Sequence, residues 1–405
     1  MARNPKTSPA RLPATLPAGL PAPAASAPAN GRRATLADVA RDAGVDVSTV
    51  SRVLNADAGV RVAEATRERI LQAARGLGYR PNVLARALRT ARSRTLGMVV
   101  PQLDNPVFAL AIAGAEKAAW SRGHSLLIAH EHDLPSGESV YENLVNANRV
   151  DGLIVASLAP EDTLLRGLQG CGVPFVLINR RTQAPSSSVT LDGREAAAMA
   201  VRHLVTLGHR RIAHLAGRPH GFNGPQRRMG FLQALQAAGI EPDPTLIIPV
   251  DYTVQGGATG MRELLQHPGE APSAVVVATT VAAAGALAVL HERGLRVPQD
   301  MSVVGIHDLP LAEVLHPPLT TVRLPTQAMG HEAALGLIHT LETGSPGPDL
   351  MLPPMELVVR RSTAAPSSPL PPSPLPPPPP SPGPGQGRTR RPTPLTKASS
   401  KSSRS

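Results

Sequence analysis

Apolar positions between residues 35 and 55 recur at helical spacing, break, and recur again. In TLADVARDAGVDVSTVSRVLN, Leu36, Val39 and Ala40 share one face of a first short helix, and Val50, Val53 and Leu54 share one face of a second. Thr35 with Asp38 three positions on makes a capping-box-like start. Gly44 can take the positive φ a tight turn needs, and Asp46 can cap the second helix. A third amphipathic helix is predicted over 64–77, buried through Ile70, Leu71 and Ala74 and closed by Gly76 and Gly78. The pattern predicts a helical hairpin with a third helix behind it.

The polar face of the second helix carries the chemistry. Val47, Ser48 and Arg52 project outward, where a helix laid in the major groove meets base edges. Arg52 suits guanine through two hydrogen bonds. Thr35, Thr49, Ser51 and Asn55 are short polar groups suited to phosphate contacts, which set register without reading sequence.

Beyond Arg94 the period changes. TLGMVVP, HSLLIAH, GLIVAS and PFVLIN alternate with helical stretches at 108–122, 141–148 and 162–170. RIAHLAG, TLIIPVD, SAVVVAT and MSVVGIH form a second such set. This is the βαβ rhythm of parallel sheets, so two α/β lobes are expected. Open α/β sheets bind ligands beyond the carboxyl ends of their strands, which nominates the polar loops there. Gly256, Gly257 and Gly260 are not in the order of a dinucleotide fingerprint, lack a phosphate-loop lysine, and read as helix-entry glycines. His209, Arg210 and Arg211 read as a solvated turn before a strand, and Trp120 and Cys171 as packing residues.

Charge sharpens the division. Residues 1–34 hold five basic groups and no acid, and 364–405 hold six and none. Both stretches are rich in proline and lack apolar periodicity, so disordered tails are expected. Between them, 35–94 carries 11 basic against 6 acidic residues and 95–363 carries 19 against 24. A basic module therefore precedes an acidic one, and basic modules suit nucleic acid. One cysteine cannot form an intrachain disulfide or a multi-thiolate metal site. The 13 histidines show no metal-ligand spacing, and no catalytic Ser-His-Asp or Cys-His set is evident, so neither catalysis nor a cofactor is expected. Prolines interrupt every leader-like stretch near the start, and the apolar run at 274–290 is broken by two threonines and shorter than the ~18 residues a membrane span needs. A cytoplasmic protein without a membrane segment is expected.

The capped helical hairpin, the third helix, the GYRPNVLARAL that follows and the two βαβ sets together resemble the lactose-repressor/galactose-repressor family of bacterial transcription regulators, over about 35–363. The resemblance implies an all-α helix-turn-helix headpiece (35–80), a hinge helix and linker (81–94), and a two-lobe sensor with the fold of periplasmic binding proteins (95–363), flanked by tails at 1–34 and 364–405. In the hinge, Asn82 would cap, Ala85 would lie on the minor-groove floor and Leu88 would wedge between base pairs. Ala63 stands where the family usually has a serine cap, and the loop 56–61 is long. On the effector, the resemblance places Asn105 as a hydrogen-bonding group, Phe108 as a stacking ring, and Asn179, Arg180 and Arg227 as further contacts. Thr280 and His307 stand where many sugar-binding members have aspartates.

The implied function is that of a repressor reading a palindromic DNA operator as a homodimer or higher homo-oligomer, with dimer contacts including 96–127. Its effector would be a small sugar, sugar acid or sugar phosphate. Having fewer acids and more cationic groups favours the acidic classes. A transporter's solute-binding receptor shares the sensor fold but lacks a reading head, a sugar-modifying enzyme would need a catalytic set, and a regulator that has lost its effector response is a further alternative.

Overall fold

Thr35 starts the first helix, α1 (Leu36–Ala43): its hydroxyl accepts the Asp38 N–H at 3.3 Å, and the Asp38 carboxylate accepts the Thr35 N–H at 2.9 Å. Gly44 closes α1 in the left-handed region at φ 62°, a conformation that costs a side-chain-bearing residue energy. The Asp46 carboxylate accepts the Ser48 N–H at 2.7 Å and so caps α2 (Val47–Leu54). α3 (Glu64–Gly76) begins at Ala63 without a side-chain cap. Val39, Val50 and Ile70 are fully buried where the three helices meet. Leu71 is only half-buried, and Ala73 takes the place expected for it. This computed structural model describes residues 34–54, 62–79, 92–131, 139–158, 161–183 and 186–367. Asn55, Asn82, Ala85 and Leu88 lie outside the described residues, as do 1–33 and 368–405.

The first α/β unit is built from β1 (Thr95–Val100), α4 (Pro106–Ser121), β2 (Ser125–His130), α5 (Val140–Asn146), β3 (Gly152–Val155), α6 (Glu161–Gln169), β4 (Phe175–Ile178) and β5 (Ser188–Leu191). The second follows with α7 (Gly193–Thr206), β6 (Ile212–Ala216), α8 (Asn223–Ala237), a 3-10 turn (Pro244–Leu246), β7 (Ile247–Pro249), α9 (Val254–Gln266), β8 (Ala274–Val277), α10 (Thr280–Glu292), β9 (Ser302–Ile306), α11 (Leu311–Val314) and β10 (Thr320–Arg323). The chain then returns: α12 (Thr326–Thr343) and β11 (Asp349–Leu352) belong to the first unit, and β12 (Glu356–Val358) to the second. The sheet orders are β11-β5-β4-β3-β1-β2 and β12-β10-β9-β8-β6-β7. All first-sheet pairs are parallel, and in the second only β12 runs antiparallel, against β10. Parallel strands covered on both faces need continuous apolar runs, and β3, β8 and β9 are buried throughout. Among the described residues, no helix is long and apolar enough to cross a membrane.

Three readings of the sequence are corrected here. Trp120 does not pack: it is 76% exposed at the end of α4, near the half-open edge strand β2, where Ile128 is also exposed. Gly257 and Gly260 lie inside α9 and not at its entry; a Cβ on Gly257 would collide with the Ala282 carbonyl of α10, and one on Gly260 with Val250. They let elements approach closely. His209 is not a solvated turn residue. It is 1% exposed, with Nδ1 2.8 Å from Ser273 Oγ and Nε2 2.9 Å from the Ala364 carbonyl oxygen, while its neighbour Arg210 is exposed. Cys171 is buried, as expected.

Candidate DNA-reading face and effector-binding walls

Because Val50 and Val53 anchor α2 on the headpiece core, its other face is presented outward. Val47 (42% exposed), Ser48 and Arg52 are exposed, and Thr49 and Ser51 flank them half-buried. Thr35 is half-buried, and its hydroxyl donates to Asp38 at 2.6 Å. That bond commits it first to holding α1. Asp46 is held below the usual carboxylate range by the Ser48 hydroxyl and N–H.

In the first lobe, the residues expected at the carboxyl ends of the strands are there, with several already engaged. Asn105 caps α4, its Oδ1 accepting the Val107 N–H at 3.1 Å and its Nδ2 donating to Gln102 Oε1 at 3.1 Å. Phe108 is 7% exposed, so its ring is mostly core. Asn179 follows β4 at φ 55°, a conformation asparagine tolerates better than most residues. Arg180, 7% exposed, donates to the Ser157 carbonyl at 3.2 Å. Three unforeseen side chains complete this wall: Glu131 Oε1 accepts from the Tyr141 hydroxyl at 2.6 Å and the Ser157 hydroxyl at 2.5 Å. Burial lowers the Arg180 pKa, and the nearby Glu161 and Glu131 carboxylates oppose that shift. Burial pushes the Tyr141 phenol far up, assisted by Glu131. The signal for Glu131 was available, since it directly follows an apolar strand.

The second lobe assembles its wall around Arg227 of α8, which is 3% exposed. Its guanidinium donates to the Ala278 carbonyl at 2.8 Å and to His307 Nε2 at 3.0 Å, with Cζ 5.7 Å from the Tyr252 ring centroid. Arg227 Nε is buried with no hydrogen-bond partner among the described residues. Since His307 Nε2 accepts, the imidazole is neutral; burial, then Arg227, drives its pKa well below the ordinary histidine value. Thr280 is fully buried, and its hydroxyl donates to the carbonyl oxygens of His307 and Ile306. It thereby holds His307 in the left-handed region, at φ 69°. The carboxylates in these loops are already matched, Asp251 with Arg218 at 2.6 Å, and Asp308 with Arg323 at 2.7 Å and Arg360 at 2.8 Å. The sequence reading nominated Arg227, Thr280 and His307 but missed Tyr252, an aromatic three positions past the end of β7.

Two family profiles match the chain. Residues 35–82 match "Bacterial regulatory proteins, lacI family", and residues 201–363 match a "Periplasmic binding protein-like domain". The HTH-type transcriptional repressor CytR of Escherichia coli K12 is 35% identical over 335 residues, covering 82% of this chain and 97% of that protein. The chain belongs to the lacI family of bacterial regulatory proteins. The HTH-type transcriptional regulator CelR of Thermobifida fusca is 36% identical to this regulator over 82% of this chain and 98% of its own. A solved CelR–cellobiose complex is 35% identical with a TM-score of 0.62, covering 82% of this chain and 100% of that one. A lac repressor dimer bound to operator and an anti-inducer is 29% identical with a TM-score of 0.71, again covering 82% and 100%. The regulator therefore has a helix-turn-helix headpiece and a two-lobe sensor with parallel sheets, and its relatives are named transcription regulators.

Proposed function

We propose that this regulator is a cytoplasmic, homodimeric repressor that reads a palindromic operator and answers to a small sugar-like effector. The observation that carries the reading is the outward face of α2: Val47, Ser48 and Arg52 stand exposed on a helix whose other side is fixed by Val50 and Val53. Thr49, Ser51 and Asn55 would contact phosphates, with Thr35 adding its helix end, and Asn82, Ala85 and Leu88 of a hinge at 81–94 would enter the minor groove. One small headpiece touches few base pairs, and two-fold symmetry doubles the reading on a palindrome. Exposed Trp120 and Ile128 beside an open strand edge suit burial by a second copy. The basic stretches 1–34 and 364–405 would add a salt-sensitive attraction to any DNA.

For the effector, each lobe offers a polar wall at the carboxyl ends of its strands. Asn105, Phe108, Asn179 and Arg180 would serve from the first, and Arg227, Thr280 and His307 from the second. The cellobiose bound to the CelR relative supports a sugar-like ligand. A ligand that prefers one of two states shifts their balance by that preference alone.

The test is selection of genomic fragments by the purified protein, with sequencing of the enriched pool. A recurring palindrome is expected, and Arg52→Ala should weaken binding to it by about 10- to 100-fold, corresponding to ~1–3 kcal/mol for one bidentate base contact. Enrichment without a motif, or an Arg52→Ala protein that selects the same pool equally well, would refute the reading.

A further inference from the structure

We propose that the ligand of the second lobe is anionic, carrying a carboxylate or a phosphate on a polyhydroxylated skeleton, and that Arg227 is the residue it neutralises. The inference rests on the effector reading above and narrows it to a chemical class. A guanidinium stays protonated in any protein environment, so burial at 3% exposure fixes a full positive charge inside the lobe. That charge ordinarily meets a carboxylate. Among the described residues none lies within ion-pair distance of Arg227, because Asp251 and Asp308 face arginines of their own. Its partners are a carbonyl oxygen, a neutral imidazole and an aromatic ring, and Nε is left without an acceptor.

Gly193 is the first residue of the 14-residue helix α7, and a Cβ there would sit 3.3 Å from Arg227 Cγ and 3.7 Å from Nε, so the absence of a side chain leaves the guanidinium room beside the helix start. That helix start already has carboxylates of its own, Asp192 as its cap, accepting the Glu195 N–H at 2.8 Å, and Glu195 in its first turn. The donor array that favours an oxyanion is therefore the arginine fork itself. A neutral sugar would leave the charge as unbalanced as it is without ligand. Thr280 and His307, which bring no negative charge, fit the same preference.

Calorimetric titration of the full-length protein tests this with neutral hexoses and cellobiose, with hexuronates and aldonates, with hexose phosphates, and with inorganic phosphate alone. Acidic sugars of one series should bind at least tenfold more tightly than their neutral parents. Affinity should fall with added salt and drop 100-fold or more in Arg227→Gln, while Arg227→Lys retains part of it and both variants keep a cooperative thermal unfolding transition. Preference for uronates or for phosphates tells carboxylate from phosphate. Neutral sugars binding as tightly as acidic ones would overturn the inference and leave the sugar-effector reading intact. Failure of every sugar, with operator binding preserved, would overturn that reading and the inference with it.

Discussion

The two lobes share one strand order, so that β4 of the first sheet and β9 of the second hold the same third place. Each strand ends in a left-handed residue other than glycine, Asn179 in one and His307 in the other. Among the described residues each lobe also buries one arginine, Arg180 in the first and Arg227 in the second. Around Arg180 the first lobe supplies its own negative charge, with Glu131 and Glu161 both acting on the guanidinium. Around Arg227 no described carboxylate stands within ion-pair distance. The two buried arginines have thus been given opposite electrostatic treatment, one wall balanced from within and the other open to balance from outside.

The largest expected effect comes from removing the two arginines in turn without ligand. Arg180→Met takes the positive charge away from Glu131 and Glu161 and removes the arginine's hydrogen bond to the Ser157 carbonyl, and should cost about 2 kcal/mol, within the range for losing a charged hydrogen-bonding group. Arg227→Met removes a buried charge that has no carboxylate, and should fall within about 1 kcal/mol of wild type or be more stable. Urea unfolding of both variants decides it. Equal losses would show that Arg227 is balanced inside the protein after all.

Acid should separate the lobes next. Among the described residues the first lobe buries no histidine, whereas the second buries His209, His214 and His307. Burial depresses all three, His214 to about 4, its ring stacked on Phe231 with centroids 4.8 Å apart. Below the ordinary histidine value near 6.5, the unfolded chain binds protons that the folded lobe refuses. Stability is therefore complete above ~6.5 and is lost as pH falls towards the folded values, by about 2 kcal/mol at pH 5 for a group held neutral like His214. Hydrogen exchange at pH 7 and pH 5, corrected for intrinsic rates, should show β6, β8 and β9 losing protection while β1 and β3 keep it. Equal losses in both lobes would trace acid sensitivity elsewhere.

What was legible in the sequence follows the range of the interactions. Thr35, Gly44, Asp46 and the uncapped Ala63 were readable because a cap is made within three or four positions. The apolar strands were readable because full burial shows in composition alone where the buried residues are aliphatic. β5, β10, β11 and β12 were not named: β5 (SVTL) and β10 (TTVR) bury serine and threonine in place of aliphatic residues, and β11 is mostly exposed and pairs with β5 some 160 positions away. His209 was misread for the same reason. Two adjacent arginines suggested water, while its partners Ser273, Ser302 and Ala364 stand 64, 93 and 155 positions off. At the walls, the loops were foreseen but not what their side chains do. Asn105 is occupied as a cap, Phe108 is mostly core, and Glu131 and Tyr252 went unnoticed beside the residues that had been named.

The smallest effect sharpens the backbone half of the comparison. Asparagine tolerates the left-handed region through its short polar side chain, so Asn179 fits its φ of 55° with little strain. Histidine at φ 69° is held there by the Thr280 hydroxyl on its carbonyl oxygen and by Arg227 on its ring. Replacing it as His307→Asn keeps an acceptor on that side chain, removes the buried imidazole, and should raise stability by up to about 1 kcal/mol at pH 7. The same change should raise it further at pH 5, because one depressed histidine no longer opposes protonation of the unfolded chain. A pH-independent gain would assign the whole effect to backbone strain. A loss at both pH values would mean that the imidazole packs against Arg227 and Thr280 better than its conformation costs.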